Sequence, residues 1–505
     1  MIDLLLQWLQ QFLGNRLIEA YLVGGSLRDL LLGQRPQDLD LVVSSDPEPL
    51  ARILAIALRA TYVALNQEKG VKRVILPRKP YGRIIIDLAP LHGDSITDDL
   101  AQRDFTINAL ALPIEAVATL PALSTRAEQP PAALIDPFNG WDDLQAKILR
   151  VVQEGVFQHD PLRMLRAIRL SANRQFAMDP ATASLLSRDA PLLRQVAPER
   201  IRDELLQMLV PRHASAAIQA LDAFKLLPLI FPALIVSDNP TTPSVSDSVQ
   251  FGGVAWPTLH AAAALLSAAQ GETVTLTQAE QQLLAPLVRL SHRPAFKKRW
   301  KKAQVRACTR SDALMLAALL ADLAPEAEEK MLVAALMRLA LGRQVTRSIT
   351  FLLQQSVAPW SIEPRPHPRS GLAWRAARYY FERFGEHGLD LAVFCLARQM
   401  AAHQADAPDD AWRAQAQTVL NVLTGYYEEH NVLVPPILLD GEVLIARLGL
   451  ANGPLIGTLL AKVRSAQLDG LVRTRAEALQ FLMEQNSLVV AHPSRYTGQD
   501  EQNTR

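Results

Sequence analysis

The sequence predicts an α+β chain: an N-terminal α/β head followed by an elongated, all-α neck, body and tail. Residues 1–112 alternate strand and helix signals. From about Leu162 the strand signals nearly vanish, and Leu- and Ala-rich helical periodicity runs to the end. At 505 residues with 49% hydrophobic content, the chain is long enough for several cores.

The first residues, Met1-Ile-Asp-Leu-Leu-Leu-Gln-Trp, are apolar but lack a basic region or cleavage site. Leu4, Leu5, Trp8, Leu9 and Phe12 fall at helical spacing, so an amphipathic helix is expected rather than a signal peptide. Ala20–Val23, Leu39–Val43, Val71–Leu76 and Arg83–Leu88 read as strands. Pro47–Leu58 reads as a helix, with Asp46 as its cap and Pro47 at its first position. Pro113–Pro131 is Ala- and Pro-rich and reads as an insert or loop. Ser237–Ser248 and Ser356–Gly371 read as linkers, and residues 431–485 as a last small helical module. Ser487–Arg505 is a polar, frayed end.

A net charge of +1 provides no global field for nucleic acid, so any such binding must use local patches. Cys308 and Cys395 form neither a disulfide framework nor a zinc spacing, which fits a reducing cytoplasm. No run is long and apolar enough to span a membrane.

The sharpest local signal is Tyr21-Leu-Val-Gly-Gly-Ser-Leu-Arg-Asp-Leu-Leu-Leu-Gly33, followed by Asp38-Leu-Asp40-Leu-Val-Val43. It reads as strand, Gly-Gly turn, helix, strand. Gly24 and Gly25 let backbone approach an anion, and a helix opening at Ser26 aims free N–H groups at it. Asp38 and Asp40 share one strand face, roughly 6.6 Å apart at Cα. Carboxylates that close repel unless a cation intervenes, and oxygen ligands beside a phosphate site suit Mg²⁺. A lone Gly-Gly turn is usually only a turn and a lone Asp-x-Asp usually surface. Their combination in this order favours a metal-dependent phosphoryl or nucleotidyl transfer site. Asp87 ends the last head strand and is either a third carboxylate near the metal or a surface residue.

Further segments follow in order: Arg103-Asp-Phe-Thr-Ile-Asn-Ala109, Asp136-Pro-Phe-Asn-Gly140, His159-Asp-Pro-Leu-Arg163 and Pro198-Glu-Arg-Ile-Arg-Asp-Glu-Leu205. The ordered set resembles the class II nucleotidyltransferases, the bacterial-type tRNA nucleotidyltransferase and poly(A) polymerase family. Gly-Gly-x-x-Arg-Asp with Asp-x-Asp is met from Gly24 to Asp40. Arg-Arg-Asp-Phe-Thr-Ile-Asn-Ala is met with Gln102 in the first place, and Asp-x-x-Arg by Asp160 and Arg163. The resemblance implies a nucleotidyltransferase head over 1–134, a neck binding the nucleotide base and RNA over 135–210, a body over 211–430 and a tail module over 431–505.

It also implies roles. Asp38 and Asp40 would hold Mg²⁺, and Gly24, Gly25, Ser26 and Arg28 would cradle phosphates. Arg103, Asp104 and Asn108 would lie beside the ribose, and Asp160 and Arg163 would read the base edge. The substrates would be CTP and/or ATP and the 3′ end of tRNA or another RNA. Asp160-Pro161 is equally an excellent helix cap, and Arg163, Arg166 and Arg169 equally a solvated stripe.

Two departures stand out. His159 replaces the family's usual Glu, which helps orient the arginine. Only Ala89 to Gln102 separates the last head strand from Arg103, where full CCA-adding members carry a longer loop. The short stretch favours CC addition, A-only addition or a poly(A) polymerase. In the body, Ala321-Asp322 stands where some relatives have a His-Asp metal pair, so a phosphohydrolase site there is lost. The intact Asp38 and Asp40 argue against a non-catalytic RNA-binding relative.

The strongest basic patch holds Lys297, Lys298, Arg299, Lys301 and Lys302, continues to Arg306 and Arg310, and contains Trp300. Clustered cations suit RNA phosphates, and Trp300 either stacks or packs. Trp374, Arg375, Arg378, Tyr379 and Tyr380 form a weaker candidate.

Overall fold

The computed structural model describes residues 2–15, 18–36, 38–64, 70–77, 84–120, 125–234, 256–272, 278–305, 308–325, 327–355, 375–402, 410–448 and 450–490. The expected linkers Ser237–Ser248 and Ser356–Gly371 lie outside these residues, as do Arg306, Trp374 and the polar end beyond Val490. The chain divides into two compact units, Met1–Met208 with Ala216–Gly253, and Leu209–Ser215 with Val254–Arg505.

The first unit is built on a six-stranded sheet, in the order β3-β4-β5-β2-β1-β6. The strands are β1 (Ala20–Val23), β2 (Asp38–Val43), β3 (Thr61–Ala64), β4 (Lys72–Ile75), β5 (Ile85–Pro90) and β6 (Ala111–Pro113). Only β2 and β5 run parallel, and their register sets Asp40 opposite Asp87. Along β2, Leu39 and Leu41 are buried while Asp38 is exposed and Asp40 half-buried. Alternation thus sends the apolar side chains to the core and both acids to the other face. The sequence shows β2 and β5 through such alternation. It hides β3, whose residues are exposed or half-buried at the sheet edge, and β6, which is three residues long.

Helix α1 (Ile2–Gly14) forms as expected, but its buried stripe is Ile2, Leu5, Leu6, Leu9 and Leu13. Leu4 is 67% exposed, while Trp8 and Phe12 stack on each other at 4.6 Å. Helix α2 (Gly24–Leu31) begins at Gly24, two residues before the expected Ser26. Helix α3 (Pro47–Ala57) carries its expected cap, Asp46 accepting the Glu48 N–H. The stretch read as a loop from Pro113 begins with a 3₁₀ segment, Ile114–Thr119, whose Ile114 and Val117 are buried.

Beyond this sheet the described residues of the unit are helical apart from a short parallel pair, Ile148–Leu149 with Ala177–Met178. The Asp136 carboxylate accepts the N–H groups of Gly140 (2.7 Å) and Trp141 (2.9 Å), opening the helix Gly140–Ala146. The helix Leu162–Arg174 packs against Pro198–Met208, joined by Arg169 and Glu204 at 2.6 Å.

The second unit is helical apart from a short hairpin of Ala303–Val305 with Cys308–Thr309. Its centre packs Pro257–Gln270 against Arg310–Leu323 and His387–Ala402. Buried there, Asp390 accepts Nε (3.1 Å) and Nη2 (3.0 Å) of Arg299 on one oxygen and Arg310 on the other. The two oxygens of Asp322 accept the Thr258 (3.2 Å) and Leu259 (2.9 Å) N–H groups at the start of the helix Pro257–Gln270. The last helices, Gly441–Leu448, Pro454–Leu468 and Arg475–Val490, enclose a separate apolar cluster including Leu444, Leu459, Val463 and Leu482. Among the described residues no helix is long and apolar enough to cross a membrane.

Candidate active site

The turn from β1 into α2 sets the floor of the site. Gly24 has φ +67°, and a Cβ there would lie 2.8 Å from Arg103 Nη1 and 3.6 Å from Asp40 Oδ2. Glycine is required both for the left-handed backbone and for this approach. Ser26 is buried and joins turn to sheet. Its hydroxyl donates to Val23 O (2.8 Å) and accepts the Asp40 N–H (3.0 Å).

Arg28 is buried beside Gly25, with Nε (2.9 Å) and Nη2 (2.7 Å) on Asp29 Oδ1 and Nη1 (2.6 Å) on Asn108 Oδ1. These bonds engage all three of its nitrogens, and neither Ser26 nor Arg28 is among the residues that line the cavity. The cavity itself, about 570 Å³, is lined by Gly24, Gly25, Asp40, Asp87, His92, Asp99, Arg103, Asp104, Asn108, Asp160, Arg163, Arg166 and Arg200, among others.

The acids crowd at its sheet side. Burial first, then Asp38 and Asp87, pushes the Asp40 carboxyl up to about 6, against the opposing pull of Arg103 and Arg166. Asp87 is close enough to act on Asp40, yet both its oxygens are taken at 2.7 Å by Arg73 Nε and Nη2 from β4. Arg73 is a partner that sequence reading did not supply. Among the described residues no three metal-ligating side chains are gathered about one point. Two crowded carboxylates, Asp38 and Asp40, nonetheless fit a divalent cation whose other ligands come from elsewhere.

Arg103 lays Nε (3.1 Å) and Nη2 (2.9 Å) on Asp99 Oδ2, leaving Nη1 beside Gly24. Asp104 is buried. Burial alone would raise its carboxyl, but Arg166 (Nε at 2.6 Å), Asn108 Nδ2 (2.8 Å) and the Phe105 N–H (2.9 Å) hold it below the usual carboxylate value. Arg166 is thus an ion-pair partner rather than part of a solvated stripe.

Asp160 and Arg163 both line the cavity but do not pair with each other. Asp160 takes Arg200 Nη1 (3.1 Å) and Nη2 (2.8 Å) and weakly caps Leu162 N–H (3.3 Å). Burial opposes its ionisation, and Arg200 leads the contacts that lower the carboxyl overall. Arg163 donates to the Gln102 carbonyl (2.8 Å) and the Arg103 carbonyl (3.4 Å). These carbonyls orient Arg163, while His159 is exposed. The segment Pro198–Leu205 was visible as a motif, but only the fold shows that Arg200 and Glu204 reach this cavity.

The basic patch of the second unit splits. Lys297, Lys298, Lys301 and Lys302 are exposed, whereas Arg299 is buried on Asp390 and Trp300 is fully buried. Arg299 is therefore corrected from an RNA contact to a core ion pair, Arg310 joins it, and Trp300 packs. The weaker candidate splits too: Arg375 and Tyr379 are exposed, whereas Arg378 and Tyr380 are buried in structural roles. Arg378 donates to the Val432 (2.7 Å) and Leu468 (3.1 Å) carbonyls, and Tyr380 to Gly388 O (2.6 Å).

Residues 20–150 match a family described as the poly A polymerase head domain, and residues 175–236 one described as a probable RNA and SrmB-binding site of polymerase A. The chain is 30% identical to a CC-adding tRNA nucleotidyltransferase of Geobacter sulfurreducens, over 92% of this chain and 91% of that one. It is 35% identical to an A-adding tRNA nucleotidyltransferase of Deinococcus radiodurans over 43% of this chain and 45% of the other. A solved apo structure of a CCA-adding enzyme shares the fold with a TM-score of 0.60 at 20% identity, covering 95% of this chain and 93% of that one.

Proposed function

Since the chain belongs to the family of bacterial tRNA nucleotidyltransferases and poly(A) polymerases, we propose that it builds the CC portion of the tRNA 3′ end from CTP. That it is a nucleotidyltransferase follows from the family. The observation that carries the reading is one cavity holding Asp40 and the Gly24-Gly25 turn together with Asp160, Arg163 and Arg200. One set suits a triphosphate, the other a base.

Asp38 and Asp40 would hold Mg²⁺, which would make the attacking hydroxyl more acidic and neutralise triphosphate charge. In the reaction the RNA 3′-oxygen bonds to the α-phosphorus, giving its proton to water. The bond from that phosphorus to the bridging oxygen breaks, and diphosphate leaves with the electron pair. Gly24 and Gly25 admit the phosphates to close backbone contact. Arg103 Nη1 adds a donor beside them. Asp104, charged and fixed by Arg166 and Asn108, is an acceptor for a ribose hydroxyl. Asp160 accepts from an exocyclic amine and Arg163 donates to a neighbouring ring acceptor, a pattern that cytosine and adenine share.

The short connection favours a partial activity over complete CCA addition, and the similarity to a CC-adding relative favours C over A. Only Leu91–Ser95 lie between β5 and the helix Ile96–Ala101. A relative matched along almost the whole chain is CC-adding. The test is incorporation on tRNA transcripts lacking CCA, ending in C and ending in CC, each with CTP, ATP or both. The expected result is C addition stopping at CC, with none on the CC end. A alone on the CC end makes this an A-adding enzyme; complete CCA or long A tails equally overturn the CC reading.

RNA would be held in part by Lys297, Lys298, Lys301 and Lys302. Replacing all four with Ala should weaken tRNA binding and flatten its dependence on log salt by about 0.7–0.9 for each RNA phosphate that the lysines neutralise. An unchanged salt slope would show a solvated helix face instead.

A further inference from the structure

One group in the cavity wall has no role in the assignment above. His92 lies in the connection Leu91–Ser95, which is pinned to the sheet by the Leu91 N–H on Val43 O (2.9 Å). Its ring Nδ1 is 3.3 Å from Asp99 Oδ1, and its backbone N–H reaches the same oxygen at 3.4 Å. Asp99 is buried, and its other oxygen holds Arg103. One carboxylate therefore fixes two basic side chains side by side. The imidazole remains 47% exposed and lines the cavity with Asp40 and Gly24. With Nδ1 turned to Asp99, the far edge carrying Nε2 is the one available to a ligand.

We propose that His92 is a further substrate-binding residue of the transfer reaction, contacting the diphosphate portion of the nucleotide. This rests on the transferase reading of the same site. The chemistry follows from the neighbours. A triphosphate brings several negative charges into a cavity that already holds Asp40 and Asp87. Arg103 alone offers one nitrogen there, because Asp99 occupies the other two. Against a phosphate oxygen Nε2 must donate, so the bound imidazole is doubly protonated, with Nδ1 on Asp99 and Nε2 on the phosphate. The same contact strengthens as the bridging bond breaks and diphosphate takes the electron pair, since the acceptor becomes more negative. Asp99 is then a positioning residue, acting through His92 and Arg103.

The experiment compares wild type with H92A, H92N and H92K on tRNA lacking CCA, with CTP and Mg²⁺. It reads KM for CTP, KM for tRNA, kcat, and the inhibition constants of pyrophosphate and of CMP. H92A should raise KM for CTP and the pyrophosphate constant by a similar factor, about tenfold, as expected for losing a hydrogen bond to a charged group. The CMP constant and KM for tRNA should stay put, since CMP lacks the diphosphate. H92K, which restores a cation, should recover most of the loss, and H92N less. An unchanged pyrophosphate constant, or equal weakening of CMP, would overturn the role and leave His92 as cavity wall. Calorimetric binding of pyrophosphate with Mg²⁺ needs no acceptor RNA and separates two failures. A wild type without transfer refutes the reading of the site, whereas unaltered pyrophosphate affinity in H92A refutes the role of His92.

Discussion

The D40N variant should lose nucleotide incorporation entirely, yet its metal-free form should be more stable than wild type at pH 8. The two halves come from one cause. Asp40 sits in the sheet face with its carboxyl pushed up to about 6 by burial, Asp38 and Asp87. A carboxyl raised in the fold stabilises it at low pH, below its ordinary value near 4. That contribution is lost as pH rises through about 6. At pH 8 the charged group costs the metal-free fold up to about 3 kcal/mol, at about 1.4 kcal/mol per pH unit between folded and ordinary values. The amide removes that cost, so the melting temperature of the metal-free protein should rise by about 5 °C. Mg²⁺ should stabilise wild type at pH 8 by linkage and leave D40N nearly unmoved. Only below about pH 4, where the carboxyl is protonated in the folded and unfolded chain alike, should the two melting curves converge. Retained transfer, or a fall in stability at pH 8, would sink the assignment of Asp40 as a metal ligand.

The second large effect lies in the other unit. D390A should unfold it at ordinary temperature or leave it close to the edge. Asp390 is the shared acceptor of Arg299 and Arg310, and all three side chains are at most 10% exposed. Removing the anion leaves two buried guanidinium groups with only the exposed Glu386, at 3.8 Å from Arg299 and 3.4 Å from Arg310, as counter-charge, a loss of about 3–5 kcal/mol. Calorimetry should show one of two transitions moved sharply down. Replacing all three together, as R299M/D390L/R310M, should restore much of the loss, because no buried charge is then left unpaired and Glu386, which loses both cations, is exposed to water. A triple variant as unstable as D390A would mean that the ion cluster specifies the packing rather than merely satisfying itself.

Much of the head is legible in the sequence alone. β2 shows itself because Leu39, Leu41 and Val43 alternate with Asp38 and Asp40, and a period of two has few other readings. The Gly24 turn and the Asp46 cap follow from backbone chemistry that acts within a few residues. What stays hidden depends on partners far along the chain. Nothing near Arg28 in the sequence announces that Asn108, eighty residues later, takes one of its nitrogens. Arg299 looks like a surface cation until Asp390 arrives from 91 residues away. Asp160 and Arg163 show themselves as a motif, but that Arg200 and the Gln102 carbonyl hold them is visible only in the fold. Sequence spacing shows which groups share a face of one element; it says nothing of which distant group already occupies them.

Asp322 shows how such an occupation closes a route backward. Its oxygens are committed to the first N–H groups of the helix Pro257–Gln270, the helix packed at the centre of its unit. An engineer wishing to install a metal site by writing histidine at Ala321 would be asking the neighbouring aspartate to leave that post. The helix would then begin with two donors unmet, so regaining the ligand would loosen the scaffold meant to carry it. The carboxylate that such a design would need is already at work holding the helix in place.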